Sequence, residues 1–237
     1  MYNRSAMIYD VTYRTQGKDY MAEAQKICVL IQHYKESEGS SFLDLACGTG
    51  NHIGYLQEKF KMEGLDNSEE MIGIARKKFP GIRFHLANMV DFEIGHSFDV
   101  ITCLFSSIGY VTTFSRLTQT LQTIDRHLQP GGITIIEPWF GPGVLDTGRV
   151  HAVFVDEPEL KIARMNINRV EENMSYLDFH YLVATPKGIE DFSETHALGI
   201  FTDDEYQQAF RHAGLEVLHD LEGLDGRGLY IGIKPRT

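Results

Sequence analysis

Apolar and polar residues follow two periods along this chain, and the places where the period changes mark its architecture. Phe42-Leu43-Asp44-Leu45 is a short apolar run that turns on small residues, Ala46-Cys47-Gly48-Thr49-Gly50. Ile53, Leu56 and Phe60 then fall at helical spacing. The pattern predicts a strand, a glycine turn and a helix start. The unit repeats. Lys61–Asp66 reads as a second strand ending in an acid. Ser68 is an N-cap for a helix carrying Met71, Ile72, Ala75 and Phe79, which Pro80-Gly81 stops. Ile82–Leu86 reads as a third strand. Phe98–Phe105 is nearly continuous in apolar residues, as suits a strand buried on both faces of a parallel sheet. Ser106–Tyr110 leaves it as a loop. Leu117, Leu121, Ile124 and Leu128 mark a helix that Pro130-Gly131-Gly132 ends, and Ile133–Ile136 is a fifth strand. Upstream, Ala24, Ile27, Cys28, Ile31 and Tyr34 place a helix over 19–36.

Strand and helix in alternation imply right-handed crossovers and a parallel sheet. The rhythm breaks at 141–200. There the segments His151–Val155, Lys161–Val170, Met174–Ala184 and Asp191–Ile200 alternate with no long helix among them. They predict an inserted, small antiparallel sheet that covers a site. Thr202-Asp203-Asp204-Glu205 is a capping box for a helix with Tyr206, Ala209, Phe210 and Ala213, and a strand pair, Leu215–Leu221 and Leu229–Ile233, ends the chain. The expected division is a core over 1–140 with an N-terminal lid, a substrate-covering insert over 141–200, and 201–237 completing the core. The fold class is α/β, with seven mostly parallel strands and helices on both faces. Residues 1–20 hold Tyr2, Tyr9, Tyr13 and Tyr20, which suit either a helix packed on the rim or a lid with tyrosines facing a ligand.

Composition narrows the chemistry. The chain has 237 residues, 43% hydrophobic and 23% charged, enough for one large α/β domain with an insertion. A formal net charge of −11 argues against nucleic acid as a partner. No apolar run approaches the ~18 residues of a membrane span, and no signal-peptide apolar region opens the chain. Cys28, Cys47 and Cys103 share no metal-site spacing; they read as reduced thiols of a cytoplasmic protein, and no metal is expected.

A dinucleotide turn needs G-x-G-x-x-G, but here Ala46 and Ile53 stand at the first and third positions and only Gly48 and Gly50 are present. Asp44, two residues before Ala46, is placed to meet a cationic group. Asp66 ends the next strand, where a carboxylate accepts from both hydroxyls of a ribose. Asn88 can meet an exocyclic amine through its carbonyl oxygen, and Met89 and Leu104 can sandwich a flat base. A ligand with a cationic amino-acid end, a ribose and an adenine fits these positions in order, namely S-adenosyl-L-methionine, with S-adenosylhomocysteine as its product. Tyr9, Ala46, Gly48, Gly50, Asn67, Met71 and Phe105 join them as expected cofactor contacts.

Leu43–Gly50 resembles the E/D-x-[GA]-x-G-x-G motif of class I S-adenosylmethionine-dependent methyltransferases, whose fold is Rossmann-like. Gly17-Lys18-Asp19-Tyr20, Phe105-Ser106-Ser107-Ile108-Gly109, Glu137-Pro138-Trp139 and Gly226-Arg227-Gly228-Leu229 resemble the TDP-aminosugar N,N-dimethyltransferases. Ala87-Asn88-Met89 departs from the Gly-Asp-Met of that pattern. The resemblance implies methyl transfer to the amine of a small molecule such as a TDP-linked amino sugar. Another small amine, carboxylate or hydroxyl is the alternative acceptor. Tyr13 is the first candidate for orienting the amine. Among ten histidines, His180 and His196 on the insert are candidates for a base, with His180 carried forward, while His127 reads as structural. Arg227 is the expected diphosphate contact, ahead of Arg164 and Arg169. Ser106, Tyr110 and Trp139 follow strands four and five at the edge where substrate enters. The insert's strands offer edges for pairing across a homodimer.

Overall fold

A computed structural model of the chain describes residues 4–236; Tyr2 lies outside them. Strands β1 (Ser41–Leu45), β2 (Lys61–Asp66), β3 (Arg83–Leu86), β4 (Phe98–Cys103), β5 (Leu128–Ile136), β10 (Glu216–Asp220) and β11 (Leu229–Ile233) form one sheet in the order β10-β11-β5-β4-β1-β2-β3. All pairings are parallel except those of β11. The chain order reverses between β1 and β4, which opens a crevice at their carboxyl ends.

Alternate residues of each strand feed two cores. Phe42 and Val100 pack with α2 (Tyr20–Tyr34), α3 (Asn51–Leu56) and α4 (Glu69–Lys78) through Ile27, Ile53 and Ile72. Leu43, Leu45 and Ile101 pack on the other face with α5 (Phe114–His127) and α6 (Asp203–His212) through Leu121 and Phe210. The caps form as the sequence implies. Ser68 Oγ accepts from the Met71 N–H at 3.2 Å, and Thr202 and Glu205 close a reciprocal box.

Two boundaries differ from those the periodicity predicts. Ser107–Val111 is a turn of 3-10 helix, not a loop. Leu128 opens β5 instead of finishing the helix before it, and the pairing of β5 with β4 slips between Phe98↔Leu128 and Val100↔Ile133. Pro130-Gly131-Gly132 is therefore an irregularity within a strand. A Cβ at Gly132 would stand 2.8 Å from the Gln129 carbonyl oxygen, so only glycine lets the strand pass.

The insert is a four-stranded antiparallel sheet of β6 (Val150–Glu157), β7 (Leu160–Glu171), β8 (Met174–Thr185) and β9 (Gly188–Gly199). Cross-strand rows define its faces. Val153–Arg164–Tyr181–Phe192 and His151–Asn166–Phe179–Glu194 face inward, while Phe154–Ala163–Leu182–Asp191 faces outward. A 3-10 turn, Arg4–Ile8, leads into α1 (Tyr9–Thr15). Ile8 and Val11 join Val155, Ile162, Phe179 and Tyr181 in a third core, so the N-terminal segment packs on the insert. No helix among the described residues is long and apolar enough to cross a membrane.

Candidate active site

Two cavities lie above the carboxyl edge of the main sheet. The first, of about 330 Å³, is bounded at one end by Ala46, Gly48 and Asp66, and at the other by Asn88 and Met89. Asn67 and Met71 form its wall on the α4 side. Gly48 has φ +56°, and a Cβ built there meets nothing within 4 Å, so the space before it is open for a ligand touching backbone. Asp66 is buried, with Oδ2 accepting from the Gly48 N–H at 2.8 Å and Oδ1 from the Ser68 N–H at 2.9 Å. Burial raises its carboxyl above the ordinary value, opposed by those amides. A carboxylate has about four acceptor sites, so each oxygen keeps capacity for a diol. Asn88 Oδ1 accepts from the Val90 N–H at 3.0 Å, which holds the side chain at the rim with one lone pair left over.

Beneath this cavity, a pocket of about 30 Å³ is lined by Asp44, His52 and Leu104. Asp44 Oδ1 accepts from Thr102 Oγ1 at 2.8 Å. Burial pushes the Asp44 carboxyl up to about 6. An acid so placed is matched by a cation arriving with the ligand. Leu104 lies at the Asp44 end, while Met89 lines the larger cavity. Gly50 lines neither space. It is the left-handed N-cap of α3, and a Cβ there would stand 3.1 Å from the Phe79 ring.

The second cavity, of about 410 Å³, lies under the insert. Tyr13 and Phe105 form its floor, in edge-on contact with centroids 4.9 Å apart. Trp139 lines it with its indole N–H donating to Ser175 Oγ at 2.7 Å. Tyr9, Ser107 and Tyr110 line both cavities and mark their junction.

α1 closes the junction from above. Asp10, which no local sequence pattern singles out, accepts from Thr49 Oγ1 at 2.5 Å, Asn51 Nδ2 at 2.9 Å and Lys78 Nζ at 2.9 Å. Burial raises this carboxyl, but the bonds from Thr49 and Lys78 outweigh it and hold it below the ordinary range. The helix is thereby latched to the glycine turn, and its tyrosines face inward while its apolar side packs on the insert. Of the tyrosines in this stretch, Tyr9 and Tyr13 belong to α1 and line the cavities, while Tyr20 opens α2. Asp10→Asn is expected to speed cofactor release about 10-fold by stopped flow, the effect of losing roughly 1–2 kcal/mol of charged hydrogen bonding.

Several residues to which the sequence pointed stand elsewhere. Ser106 is buried and donates to the Pro138 carbonyl at 2.7 Å, so it cannot reach a substrate; Ser107 takes the cavity position. Phe105 and Ser106 have φ of +52° and +58°, and this left-handed step swaps the serines. His180 is exposed on the outer face of β8, paired with Met165 and Ser193, and has no access to either cavity. His196, on the inner face, is buried. His127 is structural, accepting from the Ile94 N–H at 3.3 Å. Arg227 lines the second cavity, but Glu137 Oε1 accepts from it at 2.8 Å and Asp225 Oδ1 at 2.9 Å. Its charge is already matched. Arg164 differs. It is buried on the inner face of β7, its Nη2 donates to Gln16 Oε1 at 3.2 Å, and its Nε has no partner among the described residues. His151 Nε2, on the same wall, is also buried without one. Among the described residues no group of His, Cys, Asp and Glu is arranged to hold a metal.

The seven-stranded order, the open glycine turn and acids at the ends of β1 and β2 define a class I S-adenosylmethionine-dependent methyltransferase. A family model described as a methyltransferase domain matches residues 42–132. The chain is 38% identical over 230 residues to dTDP-3-amino-3,4,6-trideoxy-α-D-glucopyranose N,N-dimethyltransferase of Streptomyces venezuelae, covering 96% of this chain and 97% of that protein. It is 36% identical to dTDP-3-amino-3,6-dideoxy-α-D-glucopyranose N,N-dimethyltransferase of Streptomyces fradiae, covering 96% and 90%. The crystal structure of Streptomyces venezuelae DesVI superposes with a TM-score of 0.91 at 37% identity, covering 99% of each chain. That of S-adenosylmethionine-bound CalS10, an amino pentose methyltransferase from Micromonospora echinaspora, does so with 0.86 at 32%, covering 96% of each. The chain belongs to the family of dTDP-aminosugar N,N-dimethyltransferases, and its cofactor is S-adenosylmethionine.

Proposed function

We propose that this enzyme methylates the amine of a nucleotide-linked amino sugar. The observation that carries the reading is Arg164, a buried arginine without an acidic partner among the described residues, on the wall of a cavity that meets the cofactor cavity. The guanidinium lies over the Tyr13 and Phe179 rings and donates to Gln16, with no acid against it among the described residues, so its charge is left to pair with an anion such as a diphosphate. The names of the similar proteins point the same way.

The cofactor supplies a methyl group activated by a sulfonium. Asp44 takes its ammonium, Asp66 its ribose hydroxyls, and Asn88 with Met89 its adenine. Asn67, Met71 and Tyr9 enclose it. Arg164 and His151 hold the diphosphate, with Asn166 and Asn168 beside them on β7. Tyr13 orients the amine, and the insert with α1 excludes water from the junction. We assign the core, the covering insert and the C-terminal helix and strand pair to 1–140, 141–200 and 201–237. A mass screen of dTDP-amino sugars, free small amines, carboxylates and alcohols tests the function. Gain of one or two methyls on the dTDP-amino sugars alone supports it; transfer only to a carboxylate or hydroxyl overturns it.

The outer face of the insert exposes Val150, Phe154, Met165, Ile167, Leu182 and Ile189. So large an apolar face on a sheet suits a second copy packed face to face about a twofold axis. Phe154→Glu with Ile167→Lys is expected to halve the mass seen by light scattering; a wild-type monomer overturns this. Three free cysteines, two of them buried, support the cytoplasm as its location.

A further inference from the structure

At pH ~7 an aliphatic amine, with a pKa of about 8–10, is an ammonium without a lone pair. Methyl transfer needs that proton removed. Tyr110 stands at the junction of the two cavities, where the reacting nitrogen must lie. Its hydroxyl is 2.6 Å from His196 Nδ1. His196 is buried on the inner face of β9, and its Nε2 lies 3.8 Å from Glu194 Oε2. Glu194 in turn accepts from the Ser5 N–H at 3.2 Å, at the margin of the insert. The contacts run in order from Tyr110 at the junction, through His196, to the partly exposed Glu194.

We propose that Tyr110, His196 and Glu194 form a proton path that deprotonates the acceptor amine. This rests on the amine reading above. The acceptor's N–H proton passes to Tyr110 Oη as the Tyr110 hydroxyl proton passes to His196 Nδ1. The ammonium becomes an amine with a free lone pair, Tyr110 remains a neutral phenol, and His196 becomes an imidazolium facing the Glu194 carboxylate. Discharge through Glu194 to water returns His196 to neutral for the next turnover. Tyr110 touches the acceptor and is the catalytic member; His196 and Glu194 act through it as positioning residues.

The charges around His196 suit this role. Among the described residues, the titratable and charged groups facing it are Tyr110 from the 3-10 turn, Glu194 on its own strand and Arg164 on β7. Burial lowers the His196 pKa, Glu194 opposes this, and Arg164 adds to it. His196 therefore rests neutral, ready to accept. A diphosphate on Arg164 cancels the repulsion, so the imidazolium becomes accessible when the nucleotide end of the acceptor is seated.

The test is kcat against pH for wild type, His196→Gln and Tyr110→Phe, with dTDP-3-amino-3,6-dideoxy-α-D-glucopyranose as acceptor. Near pH ~7 both variants are expected to lose about 10²-fold, the scale of one general-base contribution. Near pH ~10, where the amine arrives neutral, the deficit is expected to shrink to within about three-fold. A loss by the same factor at every pH marks a packing defect and overturns the path. Should His196→Gln fail to fold, Tyr110→Phe keeps the ring and removes only the hydroxyl, so its profile decides alone. If wild type methylates no amine in the substrate screen, the amine reading falls and the path with it.

Discussion

Asp44→Asn is expected to weaken S-adenosylmethionine binding about 10²-fold and to remove its pH dependence on the acid side, the effect of losing roughly 3 kcal/mol of buried ion pairing. In the free enzyme burial holds this carboxyl at about 6. Below that pH it must release a proton before it can pair with the ligand's ammonium. Wild-type affinity should therefore rise about tenfold per pH unit toward 6 and level off above it. Calorimetry across this range checks the slope. A slope that survives in Asp44→Asn assigns the titration to Asp66 instead, whose carboxyl burial also raises. A stability effect of opposite sign accompanies this. A carboxyl whose folded pKa lies above its unfolded value contributes stability below the unfolded value and loses it as pH rises through the folded one. Above pH 6 the ligand-free Asp44→Asn protein should thus melt higher than wild type. The cofactor site is held at a cost to the empty fold.

Arg164→Ala is expected to raise KM for the nucleotide-linked acceptor about 10²-fold while leaving cofactor affinity unchanged, since two charge-assisted hydrogen bonds are worth about 3 kcal/mol. A free amino sugar should show no such change. Arg227→Ala should behave differently. It strands Glu137, whose carboxyl burial already raises and which Arg227 and Lys18 stabilise as an anion. The expected outcome is a fall in melting temperature, the sign of breaking a buried pair worth about 3–5 kcal/mol. If Arg227→Ala instead raises KM with an unchanged melting temperature, the diphosphate contact returns to that residue.

The difference between these arginines shows where sequence reading runs out. Asp44 and Asp66 were legible because a strand, a tight turn and a helix fix which residue stands at the sheet edge. The antiparallel insert was legible from alternation alone. Alternation gives two faces but not which one is inward, so His180 and His196 were equivalent until the fold oriented their strands. Arg227 looked free because its partner Glu137 lies 90 residues earlier, a pairing no local pattern records. Asp10 meets Thr49 across 39 residues and was missed for the same reason. Ser106 and Ser107 were exchanged by two positive φ angles at non-glycine residues, a strain with no local sequence signature.

α1 touches both the glycine turn, through Asp10, and the insert, through Val11. The two ligands thus share one closing element. A ligand that strengthens the latched position of that helix also firms a wall of the other ligand's cavity. Linkage makes this reciprocal: cofactor and acceptor must each tighten the other's binding by the same factor, without any contact between them beyond the reacting atoms.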